Sequence, residues 1–341
     1  MKKVIFALAA VVALAACSQE DVIVADKGAA IGFDTFVGKA TRVDDKTLTT
    51  GDLTDFAVYG AVTNTVDSTS ATALIFNNVK VAKDGAGMNA DDYAGQTNTG
   101  WKYAGTQYWI AGATYDFAAV APYKCGAENA FNAATKTTTI NFSNDAVTDL
   151  LYAQTLNVEG DDSGNQPVGF DFRHVLSKVK FSFENQYLST GTTIRVRDIV
   201  LTNAHKTATA TLNASTAWDK HAGELSIAFG NAAAASVNAL ETIAQDSELE
   251  SFNVRFIIPG KEHEYTVSFL VDVLYGETVI KTYSHNASVT FIPAAGTAYD
   301  IKTVIDHENI DPENKQEPIE FTVNTIPGWG DYNEDEEAEI I

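Results

Sequence analysis

Cys17 closes the run Leu14-Ala15-Ala16-Cys17, directly behind an apolar stretch that follows Lys2 and Lys3. A basic start, a short apolar segment (Val4 to Val12) and small residues before the cut describe a secretory leader. A cysteine placed immediately after the small residues has a specific chemistry: its thiol is acylated and it becomes the mature N-terminus. Residues 1–16 are read as a lipoprotein signal peptide, with Cys17 as the lipidation site. The apolar run is shorter than the roughly 20 residues a membrane-spanning helix needs. Function is therefore sought at a membrane surface outside the cytoplasm. Cys125 is the only other cysteine. With Cys17 acylated no internal disulfide can form, and Cys125 reads as a small buried side chain.

Other reactive constellations are missing from the sequence. The six histidines (174, 205, 221, 263, 285 and 307) are scattered, with no His-x-x-x-His or Cys-x-x-Cys spacing to support zinc. His263, between Glu262 and Glu264, reads as part of a turn, and His174, between Phe172 and Leu176, as a structural histidine. There is no Gly-x-Ser-x-Gly elbow and no phosphate loop. Asp91-Asp92 and Asp161-Asp162 are acidic pairs in loops, but neither has the Asp-x-Asp-x-Asp-Gly calcium pattern. No catalytic residue, metal or cofactor is assigned. The chain carries 45 acidic against 23 basic residues, a net charge of −22. That balance excludes nucleic acid as a partner, because phosphate binding needs a basic surface.

The elements around these residues are strands. Ile31, Phe33, Thr35 and Val37 alternate along one face. A polar stretch from Lys39 to Asp52 follows and contains Arg42, the first of only five arginines. Further strand-like runs are Phe56 to Val62, Thr72 to Phe76 and Tyr115 to Tyr123, with a long Gly- and Asp-rich loop from Ala82 to Gly100. Trp101, Tyr103, Tyr108, Trp109 and their neighbours up to Tyr123 serve either a sandwich core or a sugar-binding face, and core packing is the favoured use. Gly160 to Pro167 reads as a linker. Beyond it Val179, Phe181 and Phe183 share a face, and strands are expected at Ile194–Leu201, Phe252–Ile258, Tyr265–Leu274, Thr278–Tyr283 and Ser288–Ile292. Ala232 to Ile243 is the one helix candidate, with a loop as its alternative. Near the end, Ile319, Phe321 and Val323 alternate before Pro327-Gly328-Trp329, and an acidic tail closes the chain. The class is all-β, a sandwich or barrel repeated in both halves.

These pieces resemble the Bacteroidetes fimbrillin family, the type V pilins and their Mfa-like relatives. Four stretches carry the resemblance: Cys17-Ser18-Gln19-Glu20-Asp21; Ile31-Gly32-Phe33 leading to Lys39-Ala40-Thr41-Arg42; Tyr108-Trp109 before Tyr115-Asp116-Phe117 and Ala121-Pro122-Tyr123; and Phe172 to Phe181, with Trp329 near the end. Ile110 departs from the pattern, since relatives often have Pro after the Tyr-Trp pair. The resemblance implies two tandem transthyretin-like β-sandwich domains, here 43–166 and 167–341, after a pro-segment at 17–42. It implies an outer-membrane lipoprotein precursor. A trypsin-like, Arg-specific protease would cut it at Arg42-Val43 and remove the first strand. The protein would then act as a fimbrial subunit in adhesion, with other subunits and host or bacterial surface ligands as partners.

The residues support the same idea. Losing Ile31, Phe33 and Val37 would uncover an apolar groove and unpaired backbone groups, a template for another chain's strand. Ile319, Phe321 and Val323, in the segment 317–330, repeat the pattern of the first strand and form the expected donor. Such exchange is head-to-tail and open, giving a filament. The Arg42 site and the C-terminal strand favour a stalk subunit over a tip or anchor. The competing reading is a monomeric surface lipoprotein that binds glycans through Trp101 and Trp109; a hydrolase comes third. Asp67-Ser68-Thr69 resembles a Bacteroidetes O-glycosylation site.

Overall fold

The computed structural model describes residues 28–37, 53–66, 69–97, 100–125, 128–160, 166–187, 189–313 and 317–326. Cys17, Arg42, Val43, Ser68, Asp161-Asp162 and Trp329 lie outside these residues, as do the side chain of Val37 and most of the tail. The first nine strands are β1 (Phe33–Val37), β2 (Asp55–Val66), β3 (Thr69–Lys83), β4 (Trp101–Tyr103), β5 (Thr114–Ala121), β6 (Glu128–Asn132), β7 (Thr137–Ser143), β8 (Leu151–Glu159) and β9 (Val168–His174). The rest are β10 (Ser177–Asn185), β11 (Thr192–Leu212), β12 (Thr216–Gly230), β13 (Glu248–Glu250), β14 (Arg255–Ile257), β15 (His263–Tyr275), β16 (Thr278–Phe291), β17 (Thr297–Ile305) and β18 (Thr322–Ile326).

The regular structure of the described residues is almost wholly β. Among the described residues the helical content is one short 3₁₀ turn, Ala90–Tyr93. The helix candidate at Ala232–Ile243 is corrected: the segment is bends and turns. Ala232 and Ala233 are buried as small fillers, and Ala232 bridges to Ser251. The Asn231 side chain donates to the carbonyls of Val237 and Ala239, both at 2.9 Å, which holds the turn. Side-chain hydrogen bonding to local backbone competes with a helix here. One expected strand pair merges and one expected strand shrinks: Thr278 to Phe291 is a single strand, and of the run from Phe252 only Arg255–Ile257 is a strand.

The described strands form three sheets. One has seven strands in the order β1-β9-β8-β5-β2-β3-β4. A second runs β13-β10-β17-β18 with β14 also on β10, and a third runs β16-β15-β11-β7-β6 with β12 also on β11. The seven-stranded sheet is covered on both faces. Tyr115, Phe117 and Ala119 of β5 join one apolar cluster with Phe33, Phe56 and Phe170. Ala118 and Val120 join another with Ile140, Ala210 and Trp218. That is why β5 is buried at nearly every position and does not alternate. A third cluster joins Val179, Phe181 and Phe183 to β11, β15 and β17. Hydrogen bonds cross the division expected at Gly160–Pro167: β9 belongs to the first sheet, and the β6–β7 hairpin pairs with β11.

Candidate functional site

The first strand and the residues before it lie in a slot between β9 and the segment 107–109. On one side β1 runs parallel to β9, with Phe33 opposite Val168 and Val37 opposite Phe172. Parallel neighbours need a long crossover, so this partner cannot be read from local spacing. On the other side the residues just before β1 pair antiparallel with 107–109. Ile31 N–H donates to the Gln107 carbonyl at 2.8 Å, and Trp109 N–H donates to the Ala29 carbonyl at 3.0 Å. The Tyr103 hydroxyl donates to the Ile31 carbonyl at 2.8 Å. Burial pushes the Tyr103 phenol well above its ordinary range, so it remains a neutral donor.

Phe33 is the centre of this site. It is fully buried and touches five aromatic rings. Phe170 stacks on it at 5.6 Å, and Phe76, Tyr103, Phe117 and Phe56 surround it at 5.4, 5.5, 5.9 and 6.4 Å. Ile31 is fully buried and Thr35 nearly so, while Asp34 between Phe33 and Thr35 is exposed. Ile31, Phe33 and Thr35 thus turn inward and Asp34 outward, as their alternation leads one to expect, while the side chain of Val37 lies outside the described residues. A strand held this way is structurally a plug: removing it leaves an apolar slot floored by rings and bordered by two unpaired backbone edges.

The second expected segment sits elsewhere. β18 is an edge strand, antiparallel to β17, with Val323 opposite Ile301. Ile319 is buried, while Phe321 and Val323 are half-buried against the third cluster. Phe321 lies 5.8 Å from Phe181 and 6.2 Å from Phe269. Thr322, Asn324 and Thr325 are exposed. An open cavity of about 680 Å³ is lined by Thr303, Val304 and Asn309 together with Pro318, Glu320 and Thr322, and the Thr303 hydroxyl donates to the Glu320 carbonyl at 2.7 Å. The structure thus places Ile319, Phe321 and Val323 on one face, docked in their own half and apart from the β1 slot.

The remaining candidates resolve as follows. Trp101, Tyr103, Trp109 and Tyr115 are buried core rings, which corrects the sugar-binding alternative. The Trp109 ring packs edge-on against Tyr115 at 4.7 Å. Cys125 is buried, and burial pushes its thiol up to about 12. Asp92 caps the backbone of Asn89 at 3.0 Å. His174 bonds Asp149 at 2.5 Å.

Sequence reasoning missed one cluster. His205, His221 and His263 come from three strands and meet, with His205 ring centres 4.8 Å from His221 and 4.3 Å from His263. His221 and His263 bond the carbonyls of Pro259 and Asn203 at 2.8 and 2.6 Å. Only the register of β11 with β12 and β15 brings them together, so no local signal announces it. Among the described residues no group of three His, Cys, Asp or Glu could hold a metal ion.

Comparison with known proteins adds to this geometry. The chain matches the sequence profile of a family described as fimbrillin-like over residues 41–325. It is similar in structure to a fimbrial protein from Bacteroides vulgatus, with TM-score 0.53 and 16% identity over 88% of this chain and 99% of that one. A protein assigned provisionally to cell adhesion from Bacteroides uniformis gives TM-score 0.43 and 16% identity over 88% and 99%. The fimbrial anchor protein Mfa2 from Porphyromonas gingivalis gives 0.35 and 12% over 89% and 99%. No curated protein matches the chain.

Proposed function

The chain belongs to the fimbrillin-like family of fimbrial and cell-adhesion proteins, and from that premise we propose that it is a stalk subunit polymerised by strand exchange. In this reading Cys17 is acylated, and the lipid brings the precursor to the outer membrane. An Arg-specific, trypsin-like protease cuts Arg42-Val43. The first strand leaves, and the strand at 317–330 of another copy takes its slot. Repetition adds copies head-to-tail into an open filament. The filament then presents its subunits to host or bacterial surfaces in adhesion.

One observation carries the reading. β1 closes the seven-stranded sheet through Phe33, whose five-ring surround no other described strand fills, and Ile319 and Phe321, just before β18, repeat the Ile-x-Phe spacing of Ile31 and Phe33. The test is to treat purified precursor with a trypsin-like protease and follow it by mass spectrometry and denaturing gels. The expected product begins at Val43 and forms ladders. Deleting Glu317 to Ile341 should leave a folded, cleavable monomer that makes none. Ladders from the truncated chain would remove the C-terminal donor from the reading.

A further inference from the structure

We propose that the incoming strand enters in one fixed register, with Ile319, Phe321 and Val323 in the places of Ile31, Phe33 and Thr35, and that two buried polar groups left unpaired by the first strand favour the replacement. The proposal rests on the strand-exchange reading above and concerns which residues decide it.

Thr35 is the first of these groups. It is 3% exposed, and its hydroxyl is buried without a hydrogen-bond partner. Its backbone N–H is satisfied by the Asp34 carboxylate at 2.8 Å, so the defect is confined to the side chain. A buried, unpaired hydroxyl retains its desolvation penalty. Val323 has the same branched shape at Cβ and no hydroxyl. In the stated register it fills the site of Thr35 and removes the defect.

Trp109 is the second. It is 3% exposed, and its indole N–H is also buried and unpaired. The antiparallel bridge between Ala30 and Tyr108 sets Ala29 directly across from Trp109. Facing Cβ atoms in such a pair lie about 4.5–5.5 Å apart. Ala29 has no side-chain acceptor to offer. In the same register Glu317 replaces it and brings a carboxylate to the indole N–H.

Pro318 then falls on Ala30. The two backbone bonds of this bridge come from the N–H groups of Ile31 and Trp109. The Ala30 N–H takes part in neither, so a proline there costs this bridge no hydrogen bond. Moving the strand by one residue would place Pro318 on Ala29 or Ile31 and turn Phe321 to the wrong face. One position opposes the fit: Glu320 replaces Gly32, which is buried here, and its carboxylate must turn out to solvent.

Polymerisation of fully cleaved, full-length subunits tests the proposal, with rates read from gel ladders. Thr35→Val repairs the resident strand and should slow polymerisation on the order of tenfold. Val323→Thr carries the defect into the incoming strand and should slow it similarly. Glu317→Ala should slow it several-fold in wild type and have no effect in a Trp109→Phe background. For register, Asp34 pairs with Gly169 and Phe36 with Asp171 in the resident strand. Thr322→Cys should therefore form an intersubunit disulfide with Gly169→Cys and not with Asp171→Cys. Wild-type rates in the variants, or cross-linking through position 171, would overturn the proposal. Polymerisation after deletion of 317–341 would instead overturn the reading beneath it, so the two failures are distinct.

Discussion

β1 and β18 both lie at the ends of their sheets, and each comes with an Ile and a Phe two residues apart (Ile31 and Phe33, Ile319 and Phe321), yet the molecule treats them differently. β1 is bonded on two sides, to β9 and through the preceding residues to 107–109, and its Phe33 is fully buried. β18 is bonded on one side, to β17, and Phe321 just before it is only half-buried. Burial of a large side chain is worth ~1.5–3 kcal/mol over exposure, and an empty site in a packed core adds a cavity penalty. The first strand is therefore integral to its cluster, whereas the last strand can leave its own at modest cost. A tightly held strand and a loosely held one thus carry the same Ile-x-Phe pattern.

The contrast can be broken or sharpened in a descending series. The largest effect should follow loss of both segments: a chain cut after Arg42 and lacking 317–341 should bind an apolar dye strongly and lose its cooperative melt, while deletion of 317–341 alone should keep the melt. Next, Phe33→Ala should cost the uncleaved chain about 3–5 kcal/mol in chemical unfolding. Phe321→Ala should cost about 1–2 kcal/mol, since its ring is only partly withdrawn from water. Equal losses at the two positions would break the comparison.

Acid should act on neither strand's inward face, because Ile31, Phe33, Thr35, Phe321 and Val323 do not titrate. It should act through His205. Burial first, then His263, His221 and Lys261, lower this histidine from 6.5 to about 4. Between those values the unfolded chain takes up a proton that the folded chain refuses, so stability falls as pH drops through that window and is flat above it. His205→Gln should flatten the slope in pH-dependent melts. The smallest effect is expected beside β18. Lys302 pairs with Glu184 and Glu248 at 2.8 and 2.6 Å, both partly exposed. Lys302→Ala should shift stability by under about 1 kcal/mol.

How much could be read beforehand follows from where the information sits. The faces of Ile31-Phe33-Thr35 and Val179-Phe181-Phe183 were legible because side-chain alternation is local. The Phe33 slot was legible in outline only. Its rings come from β2, β3, β4, β5 and β9, and nothing in residue order says that β9 runs parallel to β1. The pairing of β7 with β11 was hidden for the same reason. β5 misleads a pattern reader because both its faces are covered. Ala232 and Ala233 mislead because alanine favours helices yet also fills tight contacts between strands. The unpaired hydroxyl of Thr35 carries no sequence signal at all, since threonine is an ordinary strand residue.

β11 runs unbroken from Thr192 to Leu212, bonded to β15 over its first half and to β7 over its last six residues. Its early side chains enter one apolar cluster and its late ones another. One continuous 21-residue backbone therefore stitches two apolar clusters together, so that neither can come apart without disturbing a strand it shares with the other.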